Sequence, residues 1–176
     1  NHNLGIFEAG ISLPNEMEVL EQIIQPNIGI LTSIGSAHNE GFESLDQKIS
    51  EKLKLFKHVS VLICEHNPKV LNLINPETKR FTWSFSDQGD VNFKLKKEAV
   101  LEVITNENTF EITLPFTDQS SLQNIATCVT ALLYLKIPIS EISKRVANLY
   151  RVEMRLQIKN GINNCTIIDD SYSSDY

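Results

Sequence analysis

Cysteine is scarce in this chain. Only Cys64, Cys128 and Cys165 occur among 176 residues. The count is odd and no two are spaced as a zinc pair, which excludes a disulfide framework and a zinc knuckle as the organising device. Cys128 and Cys165 lie in apolar surroundings and read as small core residues, and the cysteine usage as a whole fits a reducing cytoplasm. Positive charge is also in short supply: 16 Lys and Arg stand against 22 Asp and Glu, a formal net charge of −6. That balance argues against a nucleic-acid surface. It leaves open an anionic substrate whose charge is met by Mg²⁺ and a few local cations. No apolar run is long enough to span a bilayer, and no signal-peptide pattern is present in these residues. The G-x-x-x-x-G-K-[ST] phosphate loop is missing as well, since Gly29 and Gly35 do not form one.

What is present is a hydrophobic fraction of 41%, enough for a real core, and an alternating pattern of strands and helices. Leu4–Phe7 reads as a short strand. Ser12 and Pro14 read as the cap and first turn of a helix with Met17, Leu20, Ile23 and Ile24 on its apolar face. Ile28–Leu31 is a second strand, followed by a turn from Thr32 to Gly41 and a helix from about Ser44 to Lys57. Val59–Cys64 is a third strand and Pro68–Ile74 a short helix. This alternation predicts an α/β fold with a mostly parallel sheet flanked by helices. From Arg80 to Phe116 the pattern changes to three or four short strands with turn signals at 87–90 and 106–108, which predicts antiparallel hairpins in a small β-subdomain. Helices over Ser120–Leu135 and Ser140–Leu149 follow. Strands over Arg155–Lys159 and Asn164–Ile168, joined through Asn160-Gly161, close the chain. Asn1 is not a Met and the last residues break off in a polar motif, so the chain reads as a piece of a longer protein.

Several polar residues stand where open α/β sheets bind ligands, at the carboxyl ends of strands. Glu8 ends the first strand. It is either an ordinary strand-end carboxylate or a hard oxygen ligand for Mg²⁺. His38 lies in the turn after Leu31, as a surface histidine or as a metal or phosphate contact. Lys52 is the most unexpected side chain. On a helical wheel it falls within the apolar face of Leu45, Ile49, Leu53, Leu55 and Phe56, whereas Lys54 and Lys57 fall opposite. Either its stem snorkels along the core or its amine has a depressed pKa and is open to modification. Asp169 and Asp170 are adjacent, so one can face a ligand while the other turns away; a solvated turn is the plainer alternative. Asn124 sits in the first turn of an apolar helix. Arg155 opens a strand, as a surface cation or as a phosphate clamp.

Five stretches then resemble a known family, in order and at sensible spacing: Ile6–Gly10, Thr32–Leu45, Glu51–Phe56, Leu122–Ala126 and Ile167–Asp175. Together they resemble the central ATP-binding domain of the Mur ligases, over nearly the whole chain. Within that family Ala37-His38-x-Glu40-Gly41-Phe42 and Asp169-Asp170-Ser171-Tyr172 are similar to the ligases that add D-alanyl-D-alanine to UDP-N-acetylmuramoyl-tripeptide in peptidoglycan synthesis. The resemblance implies a P-loop NTPase-like central domain over 1–154 without its upstream phosphate-loop segment, with 79–116 as its β-subdomain. It makes 155–176 the start of a C-terminal ligase domain. It implies ATP and two Mg²⁺ ions as cofactors, UDP-MurNAc-tripeptide and D-Ala-D-Ala as substrates, a bacterial cytoplasmic location, and in some bacteria fusion to an alanine racemase. Glu8 and His38 match metal-binding residues, and Lys52 matches the family's carbamylated lysine, which also binds metal. Lys52 and His38 are thereby the catalytic candidates. Asn124 matches the adenine contact, and Arg155 and Asp170 match the residues that reach the nucleotide phosphate and ribose. Tyr172 and Ser173 stand on the substrate side. Rival expectations are a different Mur or folylpolyglutamate-type ligase, and a noncatalytic nucleotide-binding domain on the same fold.

Overall fold

A computed structural model describes residues 2–34, 41–151 and 157–171. The helices are α1 (Glu16–Ile24), α2 (Leu45–Leu53), α3 (Pro68–Leu73), α4 (Gln119–Tyr134) and α5 (Ile139–Ala147), with a 3-10 turn, Lys54–Phe56, continuing α2. The strands are β1 (Ile28–Ile30), β2 (Val61–Glu65), β3 (Arg80–Ser84), β4 (Val91–Leu95), β5 (Val100–Thr105), β6 (Thr109–Thr113), β7 (Gln157–Asn160) and β8 (Thr166–Asp169). β1 to β6 form one six-stranded sheet in sequential order, and β7 and β8 a separate two-stranded one. The β1–β2, β2–β3 and β3–β4 pairs are parallel, and the β4–β5 and β5–β6 pairs antiparallel. The mostly parallel α/β architecture is the one the alternation predicts.

β2 reads Val-Leu-Ile-Cys-Glu and is sealed over its first four residues, as a strand covered on both faces should be. Leu62 and Cys64 join a core cluster with Met17, Ile49, Leu55, Phe56 and Val70 from the helices α1 to α3 and the turn after α2. Val61 and Ile63 alternate to the opposite face, the side of β2 on which α4 packs. There a second cluster of Trp83, Phe93, Leu101 and Ile112 meets Ile125 and Val129 of α4 and Ile142 of α5.

Four expectations need correction. Leu4–Phe7 joins no ladder among the described residues, and Leu4, Ile6 and Phe7 are 66%, 88% and 69% exposed; an apolar run becomes a strand only where a neighbour takes its backbone hydrogen bonds. The first helix starts at Glu16 behind Asn15, a left-handed residue, because the Glu16 carboxylate receives the Ser12 and Leu13 N–H groups and holds that stretch as a turn. β4 to β6 are the predicted hairpins, but β3 is parallel to both its neighbours. The link from Phe85 to Asp90 doubles back tightly: Asp90 Oδ2 accepts from Thr82 N and Oγ1 at 2.7 and 2.9 Å, and a Cβ at Gly89 would lie 2.8 Å from the Trp83 carbonyl carbon. Cys128 and Cys165 are exposed, and Cys64 alone of the three is buried. On α4 the buried face is Ile125, Ala126, Thr127, Val129, Thr130 and Ala131, which leaves Cys128 outward.

Candidate functional site

α2 begins where the sequence signals it. Ser44 Oγ accepts from Gln47 N at 3.1 Å, and the Gln47 side chain accepts from Glu43 N at 2.6 Å. This reciprocal pair is a variant of the capping box. The helix then turns Lys48, Ile49 and Glu51 inward. Lys52 is half-buried, as its place on the wheel predicts. Burial, and after it the charge of Lys48, holds its amine below the usual lysine range. Lys48 is only 4% exposed and was not singled out from the sequence. The signal was available, because a residue four before Lys52 lies one turn away on the same face.

The N-terminal segment is docked against this helix. Asn15 N donates to Glu51 Oε2 at 2.8 Å, Lys54 Nζ donates to Asn15 Oδ1 at 3.2 Å, and Lys54 pairs with Glu51 at 2.7 Å. A Cβ at Gly41 would run into the Ser12 carbonyl oxygen, so glycine alone allows that approach. Ala9 and Ile11, on one side of the contact, and Ile34 and Phe42, on either side of residues 35–40, all pack on the core cluster that holds Ile49. Glu8 is exposed and directly precedes Ala9. The segment of Glu8, the residues that flank the stretch with His38, and the helix of Lys52 thus share one anchor. His38 itself lies outside the described residues.

The remaining candidates belong to other elements. Asn124 is exposed on α4, in its second turn rather than its first, because the helix starts at Gln119 behind the cap Asp118. Asp169 ends β8 and is committed locally: Lys159 Nζ donates to it at 2.6 Å and Ser171 Oγ at 2.7 Å. These bonds, Lys159 first, bring its carboxyl down to about 2. Asp170, the next residue, is half-buried. Arg155, Tyr172 and Ser173 lie outside the described residues.

Among the described residues no three His, Cys, Asp or Glu side chains form a ready-made cage for a metal ion. Glu8 carries a hard carboxylate oxygen of the kind that Mg²⁺ takes. A modified Lys52 suits its surroundings, because a carbamate anion would turn its repulsion from Lys48 into attraction. A shallow cleft of about 460 Å³ lies elsewhere, between His66, Arg80, Thr82, Asp90 and Asn106. It contains none of the predicted residues, and its carboxylate is already bonded to Thr82.

Comparison with known proteins identifies the family. The Mur ligase middle domain profile matches residues 1–132. The chain belongs to the Mur ligase middle-domain family. It is 26% identical over 184 residues to the UDP-N-acetylmuramoyl-tripeptide–D-alanyl-D-alanine ligase of Borreliella burgdorferi, covering 98% of this chain and 39% of that protein. The crystal structure of MurF from Acinetobacter baumannii superposes with a TM-score of 0.78 at 20% identity, covering 94% of this chain and 38% of that one. MurF from Thermotoga maritima, solved in complex with ADP, superposes with a TM-score of 0.75 at 21% identity, covering 93% and 39%. These structural likenesses establish a Mur ligase fold. The chain spans about 39% of the length of the relative from Borreliella.

Proposed function

We propose that the full-length protein containing this chain is an ATP-dependent amide ligase that joins D-alanyl-D-alanine to UDP-N-acetylmuramoyl-tripeptide in the bacterial cytoplasm. The observation that carries the reading is Lys52: a half-buried amine beside a buried second lysine, on a chain of the Mur ligase middle-domain family. A lysine in that setting has a larger neutral fraction than a solvated one, and the neutral amine is the form that takes up CO₂ to give a carbamate.

In this reading the terminal carboxylate of the tripeptide attacks the γ-phosphorus of ATP, ADP leaves, and an acyl phosphate forms. The amine of D-Ala-D-Ala then attacks the acyl carbon, and the tetrahedral intermediate collapses with loss of inorganic phosphate and of the amine's proton. Such transfers depend on positioning and on charge neutralisation. Glu8, His38 and carbamylated Lys52 would hold Mg²⁺, which neutralises phosphate charge when bound. Asn124 would contact adenine, Arg155 and Asp170 the phosphate and ribose, and Tyr172 and Ser173 the peptide substrate. The short loop contacts at Gly41 and Asn15 would keep the metal-binding segments in register with α2.

The test is phosphate release by the full-length protein with Mg-ATP and UDP-MurNAc-tripeptide, with and without D-Ala-D-Ala. Release that depends on the dipeptide is expected. Release only with another amine would keep the ligase chemistry and change the substrate. No release with any acceptor would leave a noncatalytic nucleotide-binding domain.

A further inference from the structure

Two lysines stand one turn apart on the inward side of α2. Lys48 is 4% exposed and Lys52 is half-buried. Positions four apart on a helix share a face, with Cβ atoms about 5–6 Å from each other. Helical side chains lean toward the N-terminus, which carries the Lys52 chain toward the turn of Lys48. The backbone of Lys48 is itself fixed, since its N–H donates to Ser44 O at 3.1 Å in the first hydrogen bond of the helix. The other charges of this helix and its 3-10 turn are directed elsewhere. Glu51 accepts from Asn15 N and pairs with Lys54. Lys54 also donates to Asn15 Oδ1, and Asp46 and Lys57 are exposed. Among the described residues, Lys48 is the one charged group that acts on the Lys52 amine.

As two cations the lysines repel, and a carbamate on Lys52 reverses the sign. The Lys52 ammonium gives one proton to solvent, its nitrogen lone pair bonds to the carbon of CO₂, and a second proton leaves that nitrogen. A cation has then become an anion, with one N–C bond formed and two protons released. Lys52 lies in the last turn of α2, near the negative end of the helix dipole, where an anion is disfavoured. A carbamate there needs a cation close by, and away from bulk water the attraction between opposite charges is strengthened. We propose that Lys48 is a positioning residue for Lys52, supplying from one turn away the counter-charge that holds the carbamate and raises its occupancy. The inference rests on the carbamate reading of Lys52 above and adds to it a residue that acts on the site through Lys52.

The test is carbamate occupancy against ¹³C-bicarbonate concentration, read as the ¹³C carbamate signal of the full-length protein with Mg²⁺. It is recorded for wild type, Lys48→Met, Lys48→Gln and Lys48→Arg, with Lys52→Ala to assign the signal and thermal melting of each protein alongside. The two neutral variants should each need about tenfold more bicarbonate for half occupancy, the scale of one charge-assisted contact. Lys48→Arg keeps the charge and should recover most of that loss. Wild-type occupancy in both neutral variants would overturn the inference. So would a loss in Lys48→Arg as large as in the neutral pair, or losses that follow the melting temperature instead of the charge. No carbamate signal in wild type would overturn the carbamate reading, and the role of Lys48 with it.

Discussion

The two sides of the sheet bury different chemistry. On the side of α4 and α5 the buried polar groups are hydroxyls that bond to nearby backbone: Thr127 Oγ1 donates to Gln123 O at 2.9 Å and Thr130 Oγ1 to Ala126 O at 2.7 Å. On the side of α1 and α2 they include three charged groups, Glu21, Lys48 and Glu51, besides the hydroxyls of Thr82 and Ser84, which alternate with Trp83 along β3. Burying a charge costs several kcal/mol unless it is paired, and Glu21 and Glu51 are paired, with His58 at 2.8 Å and with Lys54 at 2.7 Å. In the proposed function the first side serves as a stability core and the second supports the chemistry. The difference is not one of packing quality, since both sides hold fully buried apolar residues.

The largest stability effect falls at Trp83, which is 1% exposed. Trp83→Ala should cost about 3–5 kcal/mol in denaturant unfolding, with activity per folded molecule unchanged in the full-length protein. A large activity loss at full folding would place function on the wrong side of the sheet. Lys52→Ala should do the reverse. Turnover should fall about a hundredfold or more, the scale of losing one preorganised charge. A small added carboxylate should restore part of it, and stability should be kept or raised. Wild-type turnover in that variant would remove Lys52 from the chemistry.

Glu51→Gln tests the charged side of the sheet through pH. Burial alone would raise the Glu51 carboxyl, but its bonds to Lys54 and to Asn15 N outweigh that and lower it. A carboxylate lowered on folding contributes stability that is present above its unfolded value and is lost as pH falls through its folded one. The variant should lose about 1–2 kcal/mol at neutral pH, and the gap from wild type should close in acid. A constant gap across that window would contradict the assignment. Lys52 works in the opposite sense. The unfolded chain holds that proton more tightly, so this residue's contribution rises with pH between its lowered and ordinary values. The smallest effect is at Glu141, whose pair with Arg145 is exposed on α5. Glu141→Ala should change stability by no more than about 0.5 kcal/mol.

Much of this was legible in the sequence because it rests on local patterning. The wheel of α2 placed Lys52 among apolar residues, Ser44 marked its start, and Pro68 behind Asn67 marked the start of α3, where Asn67 accepts from Lys69 N at 3.0 Å. What escaped depends on contacts distant in the chain. Glu51 is held by Asn15, 36 residues away, and nothing around Glu51 predicts that partner. Lys48 was hidden because its sequence neighbour Gln47 is polar and it looks like another solvated lysine until α1 and α3 close over α2. Cys128 looked buried because the stretch from Ile125 to Leu133 is largely apolar, yet at about 100° per residue one position on α4 must still face out. The run at Leu4–Phe7 has the composition of a strand, and whether it becomes one depends on a pairing partner that composition does not show.

The proposed function turns on the chemical state of Lys52. The full-length protein should be equilibrated with ¹³C-bicarbonate and Mg²⁺ at mildly alkaline pH and its ¹³C spectrum recorded for wild type and Lys52→Ala. A carbamate carbon signal that is present in wild type and absent in the variant is the predicted result. An active wild-type enzyme with no such signal would contradict the central claim that this half-buried amine is carried as a carbamate.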